Sequence, residues 1–357
     1  MSTFRGRDLV VELKETGGLE RLPVFLFRTS TLFPDFEFMT WQPTTSIEAL
    51  QARARLNRVI RDFFAARGVL EVETPLLCHS TATDPHLHSF AVPTGDYTCY
   101  LQTSPEFPMK RLLAAGSGPI YQLGKAFRFE ETSRLHNPEF TLLEWYRPGW
   151  TLEQLVDEVE ALVLDAATAL GADLQPFPRF THAEVFRQVL GLDSHSCADA
   201  DLLAAARRRV NGDFASLDRN GLLDLLMSHV VEPALPETGA FVLDFPASQA
   251  ALAKKVRRPD GSLVAQRAEL YIAGMEIANG YQELVDPAEQ RDRFEADLAY
   301  RVQHGLPALP LPAFLLGAME QGLPESAGVA LGVDRLLMAL TGAKDIADVV
   351  GFPLQRA

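Results

Sequence analysis

Between Phe127 and Tyr146 the chain reads FRFEETSRLHNPEFTLLEWY, two alternating arms around a polar loop. Successive side chains on a strand point to opposite faces, so parity sorts each arm. Arg128 and Glu130 share one face before the loop; Phe140, Leu142, Glu144 and Tyr146 share one after it. Phe127 and Phe129, then Leu143 and Trp145, fall on the other face, which suits a core. His136 and Asn137 lie in the loop, and Pro138 stiffens its exit. The apolar side must pack on another layer. The polar side has two readings. It is a wet, charged sheet face, or a nucleotide site in which Arg takes phosphate oxygens and a ring stacks on a base.

A chain of 357 residues holds one large domain or two modest ones. Cys78, Cys99 and Cys197 have no CxxC spacing, which argues against a disulfide framework or structural zinc and fits a reducing cytosol. The N-terminus has no apolar signal region and no apolar run could cross a bilayer, so a cytoplasmic protein is expected. A net charge of −14 lacks the footprint of a protein that grips nucleic acid through its phosphates. The basic runs Arg207–Arg209 and Lys254–Arg258 read as solvated surface.

Residues 1–44 carry Gly17, Gly18, Pro23, Pro34 and Pro43, which break any period, and read as an irregular extension. Met39 stands just before the first convincing element and is a candidate initiator. A helix is expected from Thr45 to about Arg67, then a strand through VLEVETP to Pro75, and loops over Leu76–Asp96. His79, His86 and His88 lie there with no pattern that completes a metal site. Tyr97–Thr103 alternates as a strand. Ser104 then caps a helix with Pro105 first, Glu106 in its first turn and Gly116 past its end. Thr151–Leu170 is the clearest helix, and about 151–235 forms a helical insertion in a domain that spans 45–357. Strands return at Phe241–Phe245 and Ala268–Asp286, helices at 287–305 and 313–321, and AGVALGVDRLLMALTG closes the chain as strand into helix. The expected class is α+β with a mainly antiparallel sheet.

Gly328, Ala330 and Gly332 share one face of that last strand, and tiny residues let a flat ligand approach backbone. Asp334 can cap the following helix, placing Arg335 in its first turn, the wrong end of the dipole for a cation unless an anion binds nearby. In MEIANGYQEL, Asn279-Gly280 is a hairpin turn or a bulge; periodicity favours the hairpin, which makes Glu276 and Glu283 surface acids, whereas a bulge turns both towards one cavity. No Walker A loop, GxSxG elbow or HExxH helix is present, so a mechanism here rests on positioning and electrostatic stabilisation.

Taken together, these stretches resemble the class II aminoacyl-tRNA synthetases. Helix 45–67 with VLEVETP looks like their dimer-forming motif 1, Phe127–Tyr146 like motif 2, and Gly328–Arg335 like motif 3. HNPEFTLLEWY, and EIANGYQEL before Asp286-Pro287, look like the lysyl type. The resemblance implies that Arg128 binds the α-phosphate of ATP and stabilises the transition state, and that Arg335 holds the γ-phosphate. It implies that Glu130, His136 and Asn137 contact ATP, that Phe140 stacks on adenine, and that Phe129, Ile277 and Gly332 belong to the same ATP site. Glu276 and Glu283 are implied at Mg²⁺ or substrate. Ser104, Pro105, Glu106, Glu144, Tyr146, Asn279, Glu283 and Ala330 are implied around the amino acid. Phe129, often Asn in relatives, has core-face parity, so little effect on catalysis is expected from it.

Two departures separate this chain from full lysyl-tRNA synthetases. Only about 44 residues precede motif 1, without the strand periodicity of an anticodon-binding OB-fold. Ala330 stands where those enzymes carry Gly, and a methyl there reshapes the pocket floor. Both features, with WQPTTSI, DFPASQAALAK and SAGVALGVDRL, are similar to the stand-alone family that joins (R)-β-lysine to elongation factor P. An ATP- and Mg²⁺-dependent homodimeric ligase acting on a protein, not tRNA, is therefore expected. Its rivals are a truncated lysyl-tRNA synthetase using L-α-lysine, a catalytically inactive regulatory subunit, and an asparagine-synthetase-like amide ligase.

Overall fold

The computed structural model describes residues 41–129 and 132–357. Met39 and the extension before Trp41 lie outside the described residues. Helix α1 (Ile47–Ala66) starts where the Ser46 hydroxyl accepts the Ala49 N–H, and it buries Leu56, Ile60, Phe63 and Phe64 on one stripe. Strand β1 (Leu70–Glu71) follows. A small antiparallel sheet, ordered β2-β4-β3, comes from β2 (Leu77–Cys78), β3 (Ala91–Pro93) and β4 (Thr98–Leu101). The next elements are α2 (Glu106–Ala114), β5 (Ile120–Phe127), β6 (Glu139–Pro148) and α3 (Leu152–Leu170). Helix α3 has a capping box from Thr151 and Gln154, and Gly171 ends it at φ 78°.

Strand β7 (Arg179–Thr181) leads into α4 (His182–Leu190), α5 (Asp199–Arg209) and α6 (Arg219–Leu226). The remainder is β8 (Ala240–Pro246), β9 (Lys255–Arg257), β10 (Leu263–Ile272), β11 (Met275–Gln282), α7 (Pro287–Gln303), α8 (Ala313–Gly322), β12 (Ser326–Gly332) and α9 (Val333–Thr341). The large sheet runs β1-β5-β6-β12-β11-β10-β8-β7, with β9 also paired to β10. Its pairs are antiparallel except β1 with β5 and β7 with β8.

Helices α1, α3 and α9 cover one face of this sheet. Phe64, Leu143, Trp145, Leu155, Val329, Leu331 and Leu336 meet in that core, and Phe64 stacks on Tyr121 at 4.4 Å. Each such side chain contributes about 1.5–3 kcal/mol by leaving water. The charged Glu158 is tolerated there because Trp145 Nε1 donates to it at 3.0 Å and Arg147 Nε at 2.9 Å. A second core packs α4, α5 and α6 against β8 and β10 through Phe186, Leu202, Leu223, Val242 and Phe245. Helix α4 is absent from the sequence reading, although Thr181 and Glu184 form a capping box at its start. Among the described residues no helix is long and apolar enough to cross a membrane.

Several local expectations change. The stretch Leu76–Asp96 contains β2 and β3 rather than loops alone, and VLEVETP contributes only two strand residues. The first hairpin arm lies upstream, at Ile120–Phe127, so Arg128 sits just past a strand end, its N–H still donating to Pro138 O at 2.9 Å. Phe129 is not on the core face. It is 44% exposed and packs edge-on against Phe90, because the alternation stops with the strand. Helix α2 begins at Glu106 with Pro105 as the residue before it; Ser104 Oγ still accepts the Glu106 N–H at 3.0 Å.

The Asn279-Gly280 hairpin is also overturned. The turn falls at Ala273-Gly274, both at positive φ, and Asn279 and Gly280 run inside β11 opposite Ala330 and Val329. A register shift leaves Ile277 unpaired between Glu276 and Ala278. Ile277 and Ala278 are both buried in the main core, which returns Glu276 to the same face as Asn279. A bulge at Ile277, two residues upstream, does what a bulge at Asn279 would have done.

Candidate active site

The other face of the large sheet, packed under α4–α6 at one end and under α2 and α8 at the other, carries a cavity of about 1150 Å³. Its floor follows from strand register. One row across the sheet is Tyr146, Gly328, Tyr281 and Arg267. The next is Gln122, Glu144, Ala330, Asn279 and Glu269. Further along, Gly332 pairs with Leu142, and Phe140 pairs with Ala126. Rows two residues apart are separated by roughly 7 Å. The floor is therefore polar and acidic at one end, and small, aromatic and cationic at the other.

The cationic end joins the motif 2 loop to α9. Arg128 lies over the Phe140 ring, 5.1 Å from its centroid. Arg335 donates to the Glu276 carbonyl at 3.0 Å and to His136 Nε2. His136 Nδ1 meets Ser133 Oγ at 2.7 Å. Burial, with Arg335 and Arg128 nearby, lowers the His136 pKa to about 4. The ring is thus neutral at pH 7, accepting from Arg335 at Nε2 and donating from Nδ1. Asp334 does not cap α9; Gly332 occupies the N-cap position. Its carboxylate instead accepts from Arg53 of α1 and from the Thr141 N–H at 2.7 Å, tying three segments together behind the site.

The acidic end is built on α2 and the far ends of β6 and β11. Glu144 accepts from Ser104 Oγ and Tyr146 OH, each at 2.7 Å. Burial and the neighbouring Glu106 charge push its carboxyl well above the ordinary range. Glu106 and Glu283 flank Lys110 at 2.5 and 2.7 Å. Asn279 Nδ2 donates to Glu269 Oε1 at 2.9 Å, and Arg267 and Tyr271 also hold that carboxylate. A Cβ on Gly328 would overlap Glu283 Oε1 and the Tyr146 ring, whereas one on Gly332 would have no heavy atom closer than 3.9 Å. The Ala330 methyl lies between Glu144 and Asn279 on adjacent strands.

Every described residue singled out from the sequence lines this cavity except Pro105 and Phe129. Glu130 lies outside the described residues. Ile277 reaches the wall by its backbone, since its side chain is in the core. Asn137 is committed structurally: its amide donates to Glu139 O at 2.6 Å and its oxygen accepts the Leu354 N–H at 3.0 Å. Glu276 and Glu283 stand seven residues apart on extended chain, roughly 20 Å, so one ion cannot touch both. Among the described residues no three ligating side chains converge. Sequence reasoning missed Lys110, Arg267, Glu269 and Tyr281. Glu269 had a legible signal, an acid inside the apolar strand RAELYI. Lys110 had only its i,i+4 spacing from Glu106.

The profile of the class II tRNA synthetases (D, K and N) matches residues 32–356. A Vibrio cholerae protein named elongation factor P–(R)-β-lysine ligase is 50% identical over 326 residues, 89% of this chain and 98% of that protein. Proteins of the same name from Erwinia tasmaniensis and Yersinia enterocolitica are each 46% identical, covering 89% and 90% of this chain and 98% and 99% of their own lengths. The chain belongs to the class II tRNA synthetases of the D, K and N type, in the family of elongation factor P–(R)-β-lysine ligases.

Proposed function

We propose that this protein activates (R)-β-lysine with ATP and transfers it to the ε-amine of a lysine on elongation factor P. The observation that carries this is the polarity of one cavity: arginines and a neutral histidine at one end, the buried Glu144 and Glu283 and the half-buried Glu106 at the other. Such a site takes a nucleotide triphosphate and a diamino acid side by side. The names of the near-full-length relatives supply the acceptor.

In the first step a substrate carboxylate oxygen attacks the α-phosphorus, the bond to the β-phosphate oxygen breaks, and pyrophosphate leaves. In the second the acceptor amine attacks the acyl carbon, the bond to the phosphate oxygen breaks, AMP leaves and the amine loses a proton. Arg128 stabilises charge on the α-phosphate; Arg335, aligned by His136, holds the γ-phosphate; Phe140 stacks on adenine. Asn137 shapes the loop that carries His136. Glu276 is the acid on the nucleotide side and is the residue that would hold Mg²⁺, with phosphates and water completing the shell. Mg²⁺ held there would neutralise phosphate charge. Glu144, Tyr146, Asn279, Glu106 and Glu283 receive the two ammonium groups, with Ser104 fixing Glu144. Exposed Ile47 and Leu50 on α1, with Leu70 on the neighbouring edge strand β1, support a homodimer through this edge.

The second reading, activation of L-α-lysine for tRNA, is disfavoured by the Ala330 methyl on the floor between Glu144 and Asn279. Pyrophosphate exchange tests the choice. The wild type should favour (R)-β-lysine over L-α-lysine in kcat/KM, and Ala330→Gly should narrow that ratio by about tenfold, the scale of one methyl in a pocket. A wild type that prefers L-α-lysine, with Ala330→Gly unchanged, would reject the assignment.

A further inference from the structure

Lys110 has no role in the reaction as described, yet it sits at the centre of the acidic end. It is 1% exposed, among the largest fully buried side chains of the described residues. Helix α2 puts Lys110 and Glu106 one turn apart on the same face, and β11 delivers Glu283 from the sheet. One ammonium therefore links two carboxylates that come from different elements. The third, Glu144, is held by hydroxyls instead. A cation buried this deeply is costly unless paired, and here it is paired twice. Burial alone would push the Lys110 ammonium down; Glu106 and Glu283 outweigh burial and push it up. Burial raises the Glu283 carboxyl, and Lys110 opposes that rise.

We infer that Lys110 is a positioning residue of the amino-acid subsite, holding Glu106 and Glu283 together so that they can receive the ammonium groups of the substrate. This rests on the diamino-acid reading of the same site. Once an incoming ammonium draws the proton from Glu144, three carboxylates against one fixed cation leave the subsite two charges negative, which matches two ammonium groups. Without Lys110 nothing holds the like-charged Glu106 and Glu283 together, and the buried Glu283, stripped of the cation that opposes its rise, takes up a proton at neutral pH. Amino-acid binding then suffers and nucleotide binding does not, because ATP contacts lie at the other end of the floor.

The test is pyrophosphate exchange with (R)-β-lysine from pH 6.5 to 9 on the wild type, Lys110→Met, Glu106→Gln and the double variant. For Lys110→Met we expect KM for the amino acid to rise on the order of tenfold at pH 7, with KM for ATP within about twofold. The deficit should shrink as pH rises, because the remaining carboxylates recover their charge. The effect of Lys110→Met should be smaller on the Glu106→Gln background, where one repelling acid is gone. If Lys110→Met does not fold, the comparison of the double variant with Glu106→Gln carries the same pH test. A rise in KM that is independent of pH, or equal for ATP and amino acid, would overturn the role of Lys110. A wild type that exchanges with neither lysine isomer would instead overturn the substrate reading, and this inference with it.

Discussion

Arg335→Ala should lower ATP–pyrophosphate exchange by about a thousandfold while the protein keeps its circular dichroism spectrum and melting temperature. Arg335 occupies the first turn of α9, where the helix dipole disfavours a cation by about 0.3–1 kcal/mol. Among the described residues its hydrogen bonds go to neutral acceptors, the Glu276 and Leu135 carbonyls and His136 Nε2. These aim the guanidinium without cancelling its charge. Local stability therefore gives little reason for an arginine here, and an incoming phosphate gives a strong one. His136 serves as an acceptor only when neutral, and its lowered pKa keeps it so throughout the neutral range. Exchange lost through His136 protonation should then appear only as pH falls towards 4. Retained exchange in Arg335→Ala would remove the arginine from the mechanism.

The second large effect is expected at Gly328. An added Cβ there collides with the Glu283 carboxylate and the Tyr146 ring, both buried. Neither can yield cheaply: Glu283 is paired with Lys110 at 2.7 Å, and Tyr146 donates to Glu144 at 2.7 Å. Gly328→Ala should therefore displace the amine-binding acids and cost about a hundredfold in kcat/KM for the amino acid, the scale of a 1 Å misplacement. It should also lower stability by about 1–3 kcal/mol through overpacking. Gly332→Ala is the contrast on the same strand face, since its Cβ meets nothing nearer than 3.9 Å. It should leave KM for the amino acid unchanged. Equal losses from the two variants would mean that the strand face is not divided as the register indicates.

Parity in the sequence already separated Val329, Leu331, Leu143 and Trp145 from Gly328, Ala330, Glu144 and Tyr146, and the packed core and the cavity divide along that line. A period of two survives wherever a strand is continuous. It fails where the strand ends or slips. Phe129 left the core face because β5 stops at Phe127. Glu276 regained the cavity because of an unpaired Ile277 that no alternation rule marks. Lys110 escaped notice because its second partner, Glu283, is distant in sequence and near only after β11 is laid beside β12. Helix α4 was missed although its capping box was legible, since the flanking segment lacked a long apolar stripe. The short strands β2 and β3 hold two and three residues, too few to show a period.

Intact mass spectrometry of elongation factor P, incubated with this protein, ATP and (R)-β-lysine, tests the proposed function most directly. The expected result is the addition of one β-lysyl group to a single lysine, dependent on ATP and lost with Arg335→Ala. An unmodified factor, together with tRNA that becomes charged with L-α-lysine under the same conditions, would contradict it.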